Sequence, residues 1–415
     1  MPERQRVVIT GMGAITPLGL DLPRTWDALI RGQSGIARLT LIDCDGLAVR
    51  IGGEIPGFDP ALYLDRKEAR RLDRFQQLGI VAVDEAIRDA ALTITPENAE
   101  RVGVVLGTGT GGVATLVDQV TTLLQRGPDR VSPFFVTMFI PSLLSGIVSI
   151  RIGAKGPNFC IMSACATSAH CIGEATEIIR RGDADVVIAG GAEAPITRLA
   201  VAAFDQMHAV SRRNDEPERA SRPFDRDRDG FVLAEAAGAV VLETLEHARR
   251  RDARAYVEVV GYGAAADAFH ITAPSKDGEG AARAMRLALR QAGMQPREIG
   301  YVNAHATSTP QGDAAESQAI KSVFAEGPPP PVSSTKSATG HLFGAAGVVE
   351  AIFCAKAIVD GWLPPTLNYE TPDPACDLDF VPNVARSARI DAALTNGFGF
   401  GGQNASLILR RLPDG

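Results

Sequence analysis

The sequence predicts a layered α/β fold made of two related halves. Two observations predict it. Short apolar runs rich in β-branched residues alternate with longer helical patterns, the signature of strands covered by helices. The same order of features also occurs twice along the chain. In the first half, Leu106-Gly107-Thr108-Gly109 is followed by Ala164-Cys165-Ala166-Thr167 and Ala189-Gly190-Gly191-Ala192. In the second, Asn303-Ala304-His305-Ala306 is followed by Thr339-Gly340-His341 and Asn396-Gly397-Phe398-Gly399. The spacing differs between the copies, so the echo points to duplication without defining a repeat.

In chain order, Val7-Val8-Ile9-Thr10 reads as the first strand, followed by Val102 to Leu106, Val186 to Ala189 and Ala239 to Leu242. Val257 to Val260, Tyr301 to Ala304 and Ser406 to Leu409 continue the series. Several are apolar throughout, as expected of strands buried on both faces. Ala175 to Arg181, Gly280 to Ala292 and Gly347 to Val359 read as helices. Ser211 to Gly230 is the longest irregular segment, and the four prolines ending at Pro331 make a stiff connector before Val332-Ser333-Ser334. A boundary near Arg250 to Arg254 divides the chain into 1–250 and 251–415.

Composition narrows the function classes. Of 415 residues, 45% are hydrophobic and 22% charged, with a net charge of −7. This suits a large core and argues against a nucleic-acid binder. Six cysteines show no zinc spacing and no disulfide framework. The start of the chain lacks the apolar stretch of a signal peptide, and no apolar run is long enough to cross a bilayer. The expected location is the reducing cytoplasm, where an isolated Cys more often does chemistry than forms a bridge.

Cys165 stands in Ser163-Ala164-Cys165-Ala166-Thr167-Ser168, small residues ahead of a helix. A thiol at that turn would meet backbone N–H groups and a helix dipole, which favour a thiolate. The same amides could hold an oxyanion. A small buried Cys in a tight turn is the plain alternative. His305 ends a strand and opens onto Thr307, Ser308 and Thr309; His341 follows Thr339-Gly340 in another small-residue turn. Either could serve as acid, base or hydrogen-bond donor, or simply fill the core. The late glycine run from Asn396 to Gly402 lacks the Lys-Ser/Thr end of a phosphate loop. The earlier Gly107 to Gly112 cluster lacks the acidic partner of a dinucleotide site.

Together these segments resemble the β-ketoacyl-acyl carrier protein synthases, in particular the elongating type with a Cys-His-His site. The resemblance runs from Val7 to Leu409 and rests on several motifs in order: Ala164-Cys165, Arg222-Pro223-Phe224-Asp225, Arg228-Asp229-Gly230-Phe231, Thr307-Ser308-Thr309-Pro310, Val332 to Ser337, Thr339-Gly340-His341-Leu342, Gly344 to Gly347, and Phe398 to Gly402. It implies the thiolase-like fold, two duplicated halves in five αβαβα layers, with Cys165 in the first and the two His in the second. It also implies a homodimer and decarboxylative Claisen condensation: an acyl group held on Cys165 meets malonyl-ACP to give 3-oxoacyl-ACP. No free cofactor is implied, since the substrates ride on the 4'-phosphopantetheine of acyl carrier protein.

By the same resemblance, His305 and His341 are neutral donors to the enolate. Lys336 orients them and Glu350 pairs with Lys336. Asp313 and Glu316 belong to that network, and Phe400 supplies an oxyanion amide and a gate. Thr272, Thr307 and Thr309 match contacts to the pantetheine arm; Thr110, Met138, Met162 and Phe204 are acyl-pocket candidates, with plain core packing as the alternative. Asn303, Ala304, Glu350, Thr395 and Asn396 match a structural Na+ or K+ site. Arg66, Lys67, Arg70, Arg71 and Arg74 form a basic cluster, read either as one solvated helix face or as a docking surface for an acidic carrier protein. Ala306 replaces a usual Gly, with strain at positive φ as the expected consequence. A ketosynthase of a polyketide or polyene pathway is the alternative, and a non-catalytic chain-length-factor-like subunit a more distant one.

Overall fold

The computed structural model describes residues 5–413. Among them, ten strands share one large sheet: β1 (Val7–Ile15), β2 (Val102–Gly107), β3 (Asn158–Phe159), β4 (Val186–Glu193), β5 (Ala236–Thr244), β6 (Val257–Ala266), β7 (Tyr301–Asn303), β8 (Val332–Ser333), β9 (Ala392–Gly399) and β10 (Gln403–Arg411). Their spatial order is β8-β7-β9-β10-β6-β1-β5-β4-β2-β3.

The order hides a repetition. In the first set β1 lies antiparallel to β5, β5 antiparallel to β4, β4 parallel to β2 and β2 parallel to β3. In the second, β6, β10, β9, β7 and β8 follow with the same senses. The sets meet where Val8 and Ile9 oppose Glu258 and Val257. The echo in the sequence is therefore a repeated strand order. Its spacing is uneven because the loops between matching strands differ in length.

Helices complete the layers. On the first set's outer side lie α1 (Arg74–Asp89), against β1, β5 and β4, and α2 (Leu143–Ile152), against β2. Between the sets lie α3 (Thr167–Arg181) and α6 (Ala346–Asp360); outside the second lie α4 (Glu279–Ala292) and α5 (Pro310–Val323). This is the five-layered arrangement. Helix α6 is apolar almost all round because it touches sheet or helix on every side. Gly347 lets α6 approach α3: a Cβ there would lie 2.5 Å from the Ala169 nitrogen.

The expected strands are present, most of them longer, while β7 stops at Asn303, one residue short of the expected Ala304. The segment Ala392–Gly399 is a strand up to Gly399, with only Phe400 to Gly402 forming the turn expected across the whole glycine run. Its glycines conceal strand character because they add no apolar side chain.

Candidate active site

The nucleophile turn is built by backbone strain and one capping threonine. Ala164 has φ +50 and Cys165 follows in a short 3-10 turn leading into α3. The Thr167 hydroxyl accepts from the Ser163 N–H at 2.9 Å and donates to the Ala164 carbonyl at 2.7 Å. Gly399 at the end of β9 passes so close that a Cβ would lie 2.6 Å from the Ser163 carbonyl oxygen. That approach brings Phe400 to Cys165. The N–H groups of Phe400 and Cys165 both hydrogen-bond the sulfur.

Residues far apart in sequence converge here. Cys165 Sγ lies 2.9 Å from His341 Nε2. The imidazoles of His305 and His341 sit nearly perpendicular, with centroids 5.5 Å apart. One ligand-type atom from each of Cys165, His305 and His341 falls within 4.8 Å of the others. His341 is held by its backbone, which donates to Val232 and accepts from Ala234. His305 lies two residues past β7, over the Glu316 carboxylate, which accepts from the N–H groups of His305 at 2.9 Å and Ala306 at 2.6 Å, and from Asn396 Nδ2 at 3.0 Å.

Burial sets the protonation states. It pushes the Cys165 thiol up to about 12, against the opposing pull of Lys336 and the two amides. The expectation of a resting thiolate is corrected: desolvation outweighs the helix N-terminus and the amides, so the resting group is a thiol. Burial, with Lys336 beside them, holds both imidazoles well below the usual histidine range, so both are neutral. Lys336 Nζ pairs with Glu350 in full burial; desolvation raises the Glu350 carboxyl to about 7 against the pull of Lys336. Asp313, raised by burial to about 7, accepts from the N–H groups of Phe224 and Thr309 and faces Arg228 at 3.7 Å.

Cys165, His305, His341 and Phe400 open on a cavity of about 550 Å³, whose walls also include Thr110, Phe204, Thr272, Thr307, Thr309 and Glu316. Met138 and Met162 are not among its wall residues. Met162 is 54% exposed, just beyond edge strand β3. Ala306 lines the cavity without positive φ; the left-handed residue of that turn is Ser308, at φ +71. The Ala306 N–H is engaged by Glu316, which holds the backbone where alanine is unstrained.

Three of the five proposed cation ligands carry buried oxygens without hydrogen-bond partners: Asn303 Oδ1, Glu350 Oε2 and Thr395 Oγ1. Asn303 and Thr395 are neighbours across β7 and β9. The Asn396 side chain is already used, donating to Glu316 and accepting from Ser406. Uncompensated oxygens of this kind fit a hard monovalent cation.

Residues 4–248 match the N-terminal domain of β-ketoacyl synthases and residues 256–370 the C-terminal domain. The chain belongs to the β-ketoacyl synthase family. It is 50% identical over 412 residues to 3-oxoacyl-[acyl-carrier-protein] synthase 2 of Staphylococcus aureus (strain COL), covering 99% of each chain. A β-ketoacyl synthase structure from Burkholderia phymatum STM815 superposes with a TM-score of 0.91 at 38% identity, covering 98% of this chain and 100% of that one. AntDE:AntF, a type II PKS acyl-carrier protein in complex with its ketosynthase bound to the hexaketide, superposes with a TM-score of 0.91 at 32% identity, covering 99% and 100%.

In this β-ketoacyl synthase, sequence reasoning missed Glu193 and the aromatic wall. Glu193 ends β4 in full burial and accepts from the N–H groups of Gly109 at 2.6 Å and Gly344 at 3.0 Å, and from the hydroxyls of Thr108 and Thr110. It locks the two glycine turns beside Cys165. A carboxylate closing the apolar run Val186 to Ala192 was the available signal. Phe231 and Phe343 pack around His341; Phe231 stood in the motif Arg228-Asp229-Gly230-Phe231 without a role, and Phe343 was not singled out.

Proposed function

We propose that the protein is a β-ketoacyl-ACP synthase of fatty-acid elongation. The observation carrying this reading is the Cys165 thiol in contact with neutral His341, with the N–H groups of Phe400 and Cys165 directed at the sulfur. In the first stage the thiol attacks an acyl-ACP thioester. The carbonyl oxyanion rests on the two amides, the Cys165 proton passes by way of His341 to the departing carrier thiol, and the acyl group stays on sulfur. In the second stage malonyl-ACP loses carbon dioxide. His305 and His341 donate to the enolate oxygen, its carbon attacks the Cys165 thioester, and 3-oxoacyl-ACP leaves as the thiol takes up a proton. Lys336, paired with Glu350, helps burial keep both imidazoles neutral. Thr272, Thr307 and Thr309 line the pantetheine path, with Thr110 and Phe204 on the acyl side.

Several further assignments belong to this reading. The halves 1–250 and 251–415 are the duplicated units. Acyl carrier protein docks at exposed Arg66, Lys67 and Arg70; Arg74 is committed to Glu235 and Arg71 lies over the Phe134 ring. A homodimer forms along β3, whose outer edge is unpaired among the described residues, beside exposed Leu123, Leu124, Val136 and Phe159. Na+ or K+ held by Asn303, Ala304, Glu350, Thr395 and Asn396 would neutralise buried oxygens without entering the chemistry. Among the described residues no helix is long and apolar enough to cross a membrane, which suits a cytoplasmic enzyme working on a carrier protein.

The test is Cys165→Ala given acyl-ACP and malonyl-ACP. Loss of 3-oxoacyl-ACP is expected; undiminished formation overturns the reading. A polyketide ketosynthase with the same chemistry is favoured by the AntDE:AntF likeness. Mass spectrometry of Cys165 after exposure to a mixed acyl-ACP pool separates the two.

A further inference from the structure

A histidine that must aim one ring nitrogen is usually oriented by a hydrogen bond at the other. His341 lacks that partner: Nε2 faces Cys165 Sγ at 2.9 Å, while Nδ1 is buried with no hydrogen bond. Backbone bonds hold the residue, but they leave the ring free to turn about its side-chain torsions. Aromatic packing takes up the role. Phe343 lies almost flat on the imidazole, with centroids 4.7 Å apart at 17°, and Phe231 meets it edge-on at 5.4 Å and 85°. Phe204 braces both phenyl rings, 5.3 Å from Phe343 and 5.4 Å from Phe231.

The backbone at Phe343 carries a second, independent sign. Its φ is +46, a conformation a bulky side chain adopts only when the surroundings enforce it. Glycine would relieve that strain but remove the ring. The strained turn sets the ring against His341, and both line the cavity.

We propose that Phe343 is a positioning residue: its strained backbone lays a ring against His341 and so aims Nε2 at the Cys165 sulfur and at the enolate oxygen that forms beside it. The proposal rests on the condensing function above for its kinetic arm only. Phe343→Leu keeps apolar volume and removes the flat face. Phe343→Tyr keeps the face.

The experiment has two readouts. The first is alkylation of Cys165 by iodoacetamide across pH, which needs no carrier substrate. The Phe343→Leu profile should shift from wild type because the sulfur loses its fixed imidazole, and the Phe343→Tyr profile should overlay wild type. The second is malonyl-ACP condensation, where kcat of Phe343→Leu should fall about tenfold, within the hundredfold that misplacing a catalytic group can cause. KM for malonyl-ACP should hold, and Phe343→Tyr should stay within about twofold of wild type on the same geometric grounds. If Phe343→Leu does not fold, Phe231→Leu removes the opposite wall and should shift the alkylation profile in the same way. An unchanged alkylation profile in the leucine variant, or equal damage from tyrosine and leucine, overturns the proposal. Absence of condensation by the wild-type enzyme would instead overturn the proposed function and leave the alkylation arm to decide the role of Phe343.

Discussion

Lys336 and Glu350 form an ion pair with side chains only 1% and 2% exposed, so removing either partner strands the other away from water. At an effective permittivity near 20, opposite charges 4 Å apart attract by about 4 kcal/mol. Deleting one member of a buried pair costs about 3–5 kcal/mol, chiefly from the charge left behind. Lys336→Met and Glu350→Gln should each lose stability on that scale. The double variant, which strands no charge, should lose less than either. Lys336→Met adds a pH signature. Burial already raises the Glu350 carboxyl to about 7 with the lysine present, and removing the cation raises it further. A carboxyl whose folded pKa lies above its unfolded one favours the folded state at low pH and loses that contribution as pH rises through the folded value. The penalty should therefore be larger at pH 8 than at pH 6. Urea titrations of the four proteins at both pH values, followed by fluorescence, measure this. Single-variant losses within about 0.5 kcal/mol of wild type, additive losses in the double variant, or a larger penalty at pH 6 would refute the reasoning.

Two other expectations are direct. Because burial holds the Cys165 thiol near 12, its alkylation by iodoacetamide should keep climbing by about tenfold per pH unit from pH 7 to pH 10, and a plateau below pH 8 would contradict a resting thiol. Glu316→Ala leaves the N–H groups of His305 and Ala306 and the Asn396 amide without their acceptor; at about 1–3 kcal/mol for each stranded donor, thermal melting should show a loss of at least about 3 kcal/mol.

Much of the site was legible because chemistry marks itself in sequence. Cys165, His305 and His341 each stand in a turn of small residues at the end or start of an element, where a side chain can meet a substrate. The role of Glu193 was not legible, because it lies in five donors from turns distant in the chain. Thr110 was an acyl-pocket candidate; it lines the cavity, and its hydroxyl also donates to Glu193. The basic cluster read as a single face, yet burial of Glu235 draws Arg74 inward, out of the exposed set.

The sequence alone determined the alternation of strand and helix and the repeated order of features, and it singled out Cys165, His305 and His341 as candidates. These follow from local periodicity and from side-chain chemistry, both of which travel with the residues. Only the tertiary structure decided protonation and aim. Desolvation by the two strand sets and the helices between them turns an expected thiolate into a thiol and keeps both imidazoles neutral. The ring that orients His341 acts through a stacking distance, and burial and distance are properties of the packed chain as a whole.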